Sequence, residues 1–138
     1  MKETWKHEFV KVNGIRMHYA TQGKGKLVLL LHGFPDLWYV WKFQIPELAK
    51  HFRVIAPDLR GYNRTDKPDG GDNDSLHSLA GDILGRMNAL GESRATVIGH
   101  DWGGAVAWSF AAFNPKCTEE LVILNSPHPN AYTMRAKG

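Results

Sequence analysis

The sequence predicts an α/β fold in which a largely parallel sheet lies between two layers of helices. Short apolar runs at 27–31, 95–99 and 121–124 show no alternation with polar residues, which is typical of strands buried on both faces of a parallel sheet. Segments with helical spacing separate these runs, and the hairpin signal Asn13–Gly14 precedes them. A hairpin followed by alternating strands and helices indicates a three-layer sandwich in one domain over residues 1–138.

The first half of the chain is predicted to hold the hairpin and two further strands. Gly, Asp, Asn and Arg dominate the region after the second of these strands, and long loops of this kind are often functional. The elements expected here are strands over 8–13 and 15–21, a strand over 27–31, a helix over 39–50, a strand over 52–56 and a long loop over 59–74.

The second half continues with two helices and two strands. Side-chain oxygens at 73–75 are candidate helix caps, and Gly91 is a natural helix end. Apolar residues recur at helical spacing between them, at Leu76, Leu79, Ile83, Leu84 and Met87. The elements expected here are a helix over 75–90, a strand over 95–99, a helix over 105–114 and a strand over 121–124.

Composition is that of an ordinary globular domain. The chain is 43% hydrophobic with a net charge of +3, and its basic residues are scattered, which argues against nucleic-acid binding. The longest apolar run is too short to span a bilayer, and the N-terminus has no apolar leader core. A single cysteine, Cys117, fits a reducing, cytoplasmic location. No pattern typical of metal ligands or of a cofactor site is present, so neither is expected.

The segment Gly99-His100-Asp101-Trp102-Gly103 has the form of a nucleophile elbow, a sharp strand-to-helix turn that raises one side chain above a sheet. The central residue of such elbows is usually serine, which suits acyl transfer. Aspartate instead suits displacement at saturated carbon, and the start of a helix favours its ionised form. Asp101 is therefore the candidate nucleophile. The simpler alternative is that its side chain only caps the helix.

A second motif, His32-Gly33-Phe34-Pro35, follows the first buried strand. The loop at this place in an elbow-bearing fold supplies one oxyanion donor, and the residue after the nucleophile supplies the other. The backbone N–H groups of Phe34 and Trp102 are thus the candidate oxyanion hole. The His32 side chain is expected to hold the loop by hydrogen bonds.

These motifs resemble the epoxide hydrolase and haloalkane dehalogenase branch of the α/β-hydrolases. The likeness runs in order along nearly the whole chain, through 32–41, 57–68, 99–104 and 125–130. It implies that Asp101 attacks a small apolar epoxide or halide to form an alkyl-enzyme ester. It also implies an apolar pocket wall around the nucleophile, for which the candidates are Phe34, Pro35, Trp38 and Trp102.

Individual positions favour the epoxide hydrolases within this branch. Fluoroacetate dehalogenases carry arginines after the nucleophile, where this chain has Trp102 and Ala105. Haloalkane dehalogenases also use the tryptophan, but they usually carry Asn or Glu at the place of Phe34.

Two further interpretations are structural. Trp41 and Trp108 are expected to pack in the core, and an Asp58–Arg60 contact is expected to stabilise its loop.

The resemblance further implies that residues 1–138 form the N-terminal half of such a core, before the lid domain and the C-terminal half. It places the catalytic histidine, its partner acid and the lid tyrosines in that remainder. Apart from His32, which is expected to hold its own loop, His128 is the only histidine of this chain that follows a strand at the sheet edge of Asp101. Ester formation without full turnover is therefore expected.

Two alternatives remain open. One is a non-catalytic, self-associating, flavodoxin-like half-domain, either a fragment or an engineered piece of the fold, that retains the elbow. The other is one half of a haloalkane dehalogenase. A strand at 121–124 without an outer neighbour would expose an edge that pairs with other chains. A homo-oligomer, with segments exchanged between chains, is the expected assembly.

Overall fold

The computed structural model describes residues 3–67 and 75–125, which form one mixed sheet of six strands with helices on both faces. The strands are β1 (Lys6–Val12), β2 (Ile15–Gln22), β3 (Leu27–Leu31), β4 (Arg53–Pro57), β5 (Ala95–His100) and β6 (Thr118–Leu124). The helices are α1 (Gln44–Leu48), α2 (Leu76–Leu90) and α3 (Trp102–Phe113), with 3₁₀ turns at Trp38–Trp41 and Pro115–Cys117.

The strands lie in the order β1-β2-β4-β3-β5-β6. β1 and β2 form the expected hairpin, and β2 pairs antiparallel with β4. The remaining pairs, β4 with β3, β3 with β5 and β5 with β6, are parallel. At the hairpin turn, Asn13 has φ +48° and Gly14 has φ +81°, the positive values that tight hairpin turns of this type require. The predicted α/β class and the hairpin are confirmed.

Both faces of the sheet are buried. Along β3, Leu29 and Leu31 pack with α2 and α3, whereas Val28 and Leu30 pack against the 3₁₀ turn and α1 on the other face. Every residue of this strand is therefore apolar and buried, which explains why its sequence shows no alternation.

Helix α2 begins and ends where its caps predict. The Ser78 N–H donates to Ser75 Oγ at 3.1 Å, and Gly91 follows the helix with φ +74°. Capping oxygens and left-handed glycines stabilise the two ends of a helix by satisfying backbone groups that lack helical partners.

The single helix predicted over 39–50 is wrong. The structure has a 3₁₀ turn over Trp38–Trp41 and then the five-residue helix α1. Pro46 explains the break: it has no N–H to donate to the carbonyl of Lys42, and its ring would collide with that carbonyl in a continuous helix. Proline is tolerated within the first turn, where α1 places it.

The expected Asp58–Arg60 contact is also wrong. The His18 Nδ1–H donates to Asp58 Oδ2 at 2.6 Å. Arg60 instead forms a bidentate ion pair with Asp82 of α2. Its Nε donates to Oδ2 at 2.8 Å and its Nη2 donates to Oδ1 at 2.7 Å. The two side chains leave the loop toward opposite layers, because Asp58 faces the layer of Trp38 and Arg60 faces α2.

The remaining sequence predictions can be placed briefly. Trp41 is buried, as expected, while Trp108 and Cys117 are half-buried. Within residues 3–67 and 75–125, no helix has the length and apolar character needed to cross a membrane. The same ranges contain no cluster of side chains suited to holding a metal ion.

Candidate active site

Asp101 stands on a sharp turn between β5 and α3. Its backbone has φ +54° and ψ −120°, outside the regions that residues with a Cβ normally occupy. Such a conformation costs on the order of 1–3 kcal/mol and persists only where the surrounding structure holds it. Strain of this kind, observed at an exposed carboxylate, is typical of a functional site.

Two glycines make the turn possible through close backbone approach. A Cβ on Gly99 would lie 2.3 Å from the Gly103 carbonyl oxygen. A Cβ on Gly103 would lie 2.2 Å from the Leu31 carbonyl oxygen. Helix α3 therefore packs directly onto the ends of β3 and β5, and no larger residue fits at either position.

The Asp101 carboxylate does not cap α3. Its side chain makes no capping hydrogen bond, and the first helical bonds run from the N–H groups of Gly104 and Ala105 to the Asp101 carbonyl, at 2.9 and 3.3 Å. The carboxylate instead turns toward the neighbouring loop, where its Oδ2 accepts from the Phe34 N–H at 3.1 Å. The capping alternative is therefore excluded.

The loop that carries Phe34 begins beside the elbow because β3 and β5 are neighbours, with Leu31 paired to Gly99. A Cβ on Gly33 would lie 2.6 Å from Asp101 Cβ, so only glycine lets the loop pass this close. The strand order changes direction at β3, and in open α/β sheets ligands bind beyond the carboxyl ends of the strands at such a point.

The His32 side chain holds this loop by hydrogen bonds, as the sequence predicts. The Leu59 N–H donates to His32 Nε2 at 2.9 Å, so Nδ1 carries the proton and donates to the Gly33 carbonyl, also at 2.9 Å. The ring is buried, and this burial lowers the pKa of His32, although the bond to Gly33 opposes the shift. A neutral ring is the form that can accept from Leu59.

Tyr62 is a site residue that the sequence analysis missed. Its ring lies edge-on to His32 at 4.9 Å and to Phe34 at 6.3 Å between centroids. A signal was available, because Tyr62 follows β4 and the carboxyl ends of β4 and β3 meet at one edge of the sheet. Aromatic pairs in this arrangement are worth about 0.5–1.5 kcal/mol.

The structure brings most of the candidate residues together. Phe34, 69% exposed, contacts Asp101 through its N–H and is followed in the chain by exposed Pro35. Trp102 follows Asp101 at the first position of α3. Trp38 does not join them. It is 6% exposed and packs edge-on to Trp5, at 5.4 Å, in the layer with α1. His128 lies outside the described residues.

Comparison with known families agrees with the fold. Residues 26–137 match a family model described as the alpha/beta hydrolase fold. The AB hydrolase superfamily protein YfhM of Bacillus subtilis is 50% identical over 128 residues, which cover 91% of this chain and 45% of that protein. Human epoxide hydrolase 4 is 46% identical over 126 residues, covering 90% of this chain and 35% of that protein.

Solved structures are similar over the same region. A Vigna radiata epoxide hydrolase mutant has a TM-score of 0.89 and 38% identity, with 96% of this chain and 44% of that chain covered. The epoxide hydrolase CorEH without ligand has a TM-score of 0.85 and 45% identity, with 88% and 42% covered. The chain thus spans less than half the length of these relatives.

Proposed function

The chain belongs to the α/β-hydrolase fold family, and on that basis we propose that it supplies the N-terminal half of an epoxide hydrolase whose nucleophile is Asp101. The single observation that carries this proposal is the carboxylate on the elbow, exposed and oriented by the Phe34 N–H at 3.1 Å. The similarity to epoxide hydrolases in sequence and structure supports the reaction class.

The hydrogen bond distinguishes the two carboxylate oxygens. Oδ2 is held by Phe34, and within residues 3–67 and 75–125 no hydrogen bond to Oδ1 is found. Oδ1 is therefore the atom that attacks. It forms a C–O bond to one epoxide carbon, the ring C–O bond breaks, and the resulting alkoxide takes a proton from an acid or from water. The product is an ester in which Oδ2 is the carbonyl oxygen.

The second step is attack of water on this ester. Negative charge then develops on Oδ2, which already faces the Phe34 N–H. The Trp102 N–H, at the start of α3, is the proposed second donor. Each such donor is typically worth about 3–4 kcal/mol of the barrier. Collapse of the tetrahedral intermediate releases a diol and restores the carboxylate.

Water attack requires a general base, and the family resemblance places that histidine in the remainder of the core. We therefore expect this chain alone to form the ester faster than it hydrolyses it. The Phe34 N–H contacts Asp101, exposed Pro35 follows Phe34 in the chain, half-buried Trp102 follows Asp101, and the Tyr62 ring lies against Phe34. These apolar and aromatic side chains suit a small apolar epoxide. No cofactor enters either step.

The outer edge of β6 supports self-association. Within the described ranges β6 pairs only with β5, and Val122 and Leu124 on it are 38% and 43% exposed. Exposed apolar strands pair with other chains, so we propose a homo-oligomer, with exchanged segments as one form of it.

The free thiol of Cys117 fits a cytoplasmic location.

The proposal is tested by incubating the chain with an aryl epoxide and recording its intact mass. We expect one adduct equal in mass to the epoxide, absent from an Asp101→Asn variant. A matched benzylic halide distinguishes the dehalogenase alternative, which faster alkylation by the halide would support. Unmodified protein with both reagents would support the non-catalytic alternative.

A further inference from the structure

We propose that Asp58 is a positioning residue for the Phe34 N–H, because Asp58 and Leu59 together clamp both ends of the loop that carries this donor. The inference rests on the proposed function for its consequence in catalysis. The clamp itself is argued from hydrogen bonds at the end of β4, the strand next to β3.

One end of the loop is held through Leu59. Its N–H donates to His32 Nε2 at 2.9 Å, and the other ring nitrogen of His32 donates to the Gly33 carbonyl at 2.9 Å. Phe34 is the next residue, so its amide direction depends on the Gly33 peptide. Both His32 and Leu59 are buried, which leaves this end little freedom.

The other end of the loop is held through Asp58. The Trp38 N–H, at the point where the loop enters its 3₁₀ turn, donates to Asp58 Oδ1 at 3.0 Å. Within the loop, the Asp36 N–H donates to the Gly33 carbonyl at 2.9 Å. This bond ties the middle of the loop to Gly33. A displacement of the Trp38 backbone would therefore also displace the Gly33 peptide.

Asp58 is itself held firmly. It is fully buried, and its Oδ2 accepts from the His18 ring at 2.6 Å and from the Asn63 amide at 2.9 Å. Burial alone would raise the pKa of Asp58, but the hydrogen bonds from His18, Trp38 and Asn63 outweigh burial and hold it below its usual range. Asp58 is therefore a fixed anion rather than a mobile side chain.

The test compares two matched pairs of variants. Asp58→Asn puts an amide donor against the His18 N–H, whereas Asp82→Asn makes the same change at another buried carboxylate away from the loop. Asn63→Gly removes one donor to Asp58, and Asn13→Gly removes one donor to Asp82. Both asparagines have positive φ, +44° and +48°, so glycine adds no strain at either.

Two readouts are measured below the melting temperatures of all variants: hydrogen exchange of the Phe34 amide, and the rate of Asp101 alkylation by an aryl epoxide. We expect Asp58→Asn to speed the exchange and slow the alkylation, each by about ten-fold or more. Asn63→Gly should move both in the same direction by about two- to five-fold. Asn13→Gly should leave both near wild type, and Asp82→Asn, which keeps one oxygen for Arg60, should change both by less than Asp58→Asn does.

The proposal is overturned if the Asp58 and Asn63 variants match their controls in either readout. If Asp58→Asn does not fold, the comparison of Asn63→Gly with Asn13→Gly decides. A wild-type chain that is not alkylated would instead refute the proposed function. Hydrogen exchange of the Phe34 amide would then be the one remaining test of whether Asp58 positions the loop.

Discussion

The Phe34 amide nitrogen lies 3.1 Å from Oδ2 of Asp101, although 67 positions separate the two residues in the chain. The parallel pairing of β3 with β5 brings them together. Under the proposed function, the bonded oxygen Oδ2 is the one on which negative charge would develop, and Oδ1 is the proposed attacking atom. Residues that fix this contact should control the reactivity of Asp101.

Gly33→Ala should separate the two residues. The new Cβ would lie 2.6 Å from Asp101 Cβ and 2.9 Å from its Oδ2, so the loop has to move. We expect alkylation of Asp101 to fall by about a hundred-fold and unfolding free energy to fall by about 1–3 kcal/mol. Intact-mass kinetics and urea denaturation measure the two effects.

Gly81→Ala is the control for that variant. Its Cβ would be 3.7 Å from the nearest atom, in the middle of α2. Alanine in a helix interior is favoured over glycine by about 0.5–1 kcal/mol, so this variant should be as stable as wild type or more so, with unchanged alkylation. Equal behaviour of the two alanine variants would show that the contact between loop and elbow does not matter.

Acid should destabilise the fold through His32. Burial holds the pKa of His32 below 6.5, its ordinary value, so the unfolded state takes up a proton at higher pH than the folded state. The His32 contribution is thus undiminished above about pH 6.5, and stability declines as pH falls from there toward the folded pKa. Protonation also removes the acceptor for the Leu59 N–H.

Replacing the ring isolates this effect. In a His32→Gln variant, the loss of unfolding free energy between about pH 7.5 and pH 5 should be smaller than in wild type. The pKa of His7 is also lowered, by burial and by the nearby His18, but that residue is present in both proteins and cancels in the difference. Parallel stability curves for the two proteins would contradict the account.

Breaking the Arg60–Asp82 pair should destabilise the molecule strongly. Both side chains are buried, 9% and 1% exposed, so Asp82→Ala leaves a buried guanidinium without its carboxylate. We expect a loss of about 3–5 kcal/mol, and most of it should return when Arg60→Met is combined with Asp82→Leu. Urea denaturation of the single and double variants measures this, and a single variant as stable as wild type would be inconsistent with a buried pair.

Association through β6 should respond to charge on its exposed face. Val122 is 38% exposed on the outermost strand. Val122→Lys should shift the chain toward monomer in light scattering, because charged residues on edge strands oppose pairing. The control is Lys116→Ala, a change of charge at an exposed position outside β6, which should have little effect on association. A wild-type chain that is monomeric at all concentrations would refute self-association.

Sequence patterns predicted the parts of this molecule that depend on local chemistry. The unbroken apolar runs gave the buried strands, Asn13–Gly14 gave the hairpin, and Ser75 and Gly91 gave the ends of α2. The glycines around Asp101 predicted the elbow, because a strand and a helix whose backbones approach so closely need glycine at the contact. The strands, the hairpin and the helix ends are set by neighbours within a few residues, whereas the elbow also depends on the close approach of Gly103 to Leu31 of β3.

Partners across the fold were harder to predict. The sequence offers no sign that Asp58 binds His18, 40 positions away, rather than nearby Arg60. Tyr62 was missed and Trp38 was misplaced for the same reason. Tyr62 meets the loop through adjacent strands, whereas the 3₁₀ turn places Trp38 in the other layer. Pro46 is a local signal against a continuous helix over 39–50, and the prediction of that helix did not take it into account.

The most direct test of the central claim is peptide mapping of the chain after brief exposure to an aryl epoxide. We predict a single ester, located on Asp101 and persisting after the reagent is removed, with the other exposed carboxylates unmodified. Modification spread over exposed residues such as Glu47 and Glu119, and unchanged in the Asp101→Asn variant, would contradict the assignment of Asp101 as the nucleophile.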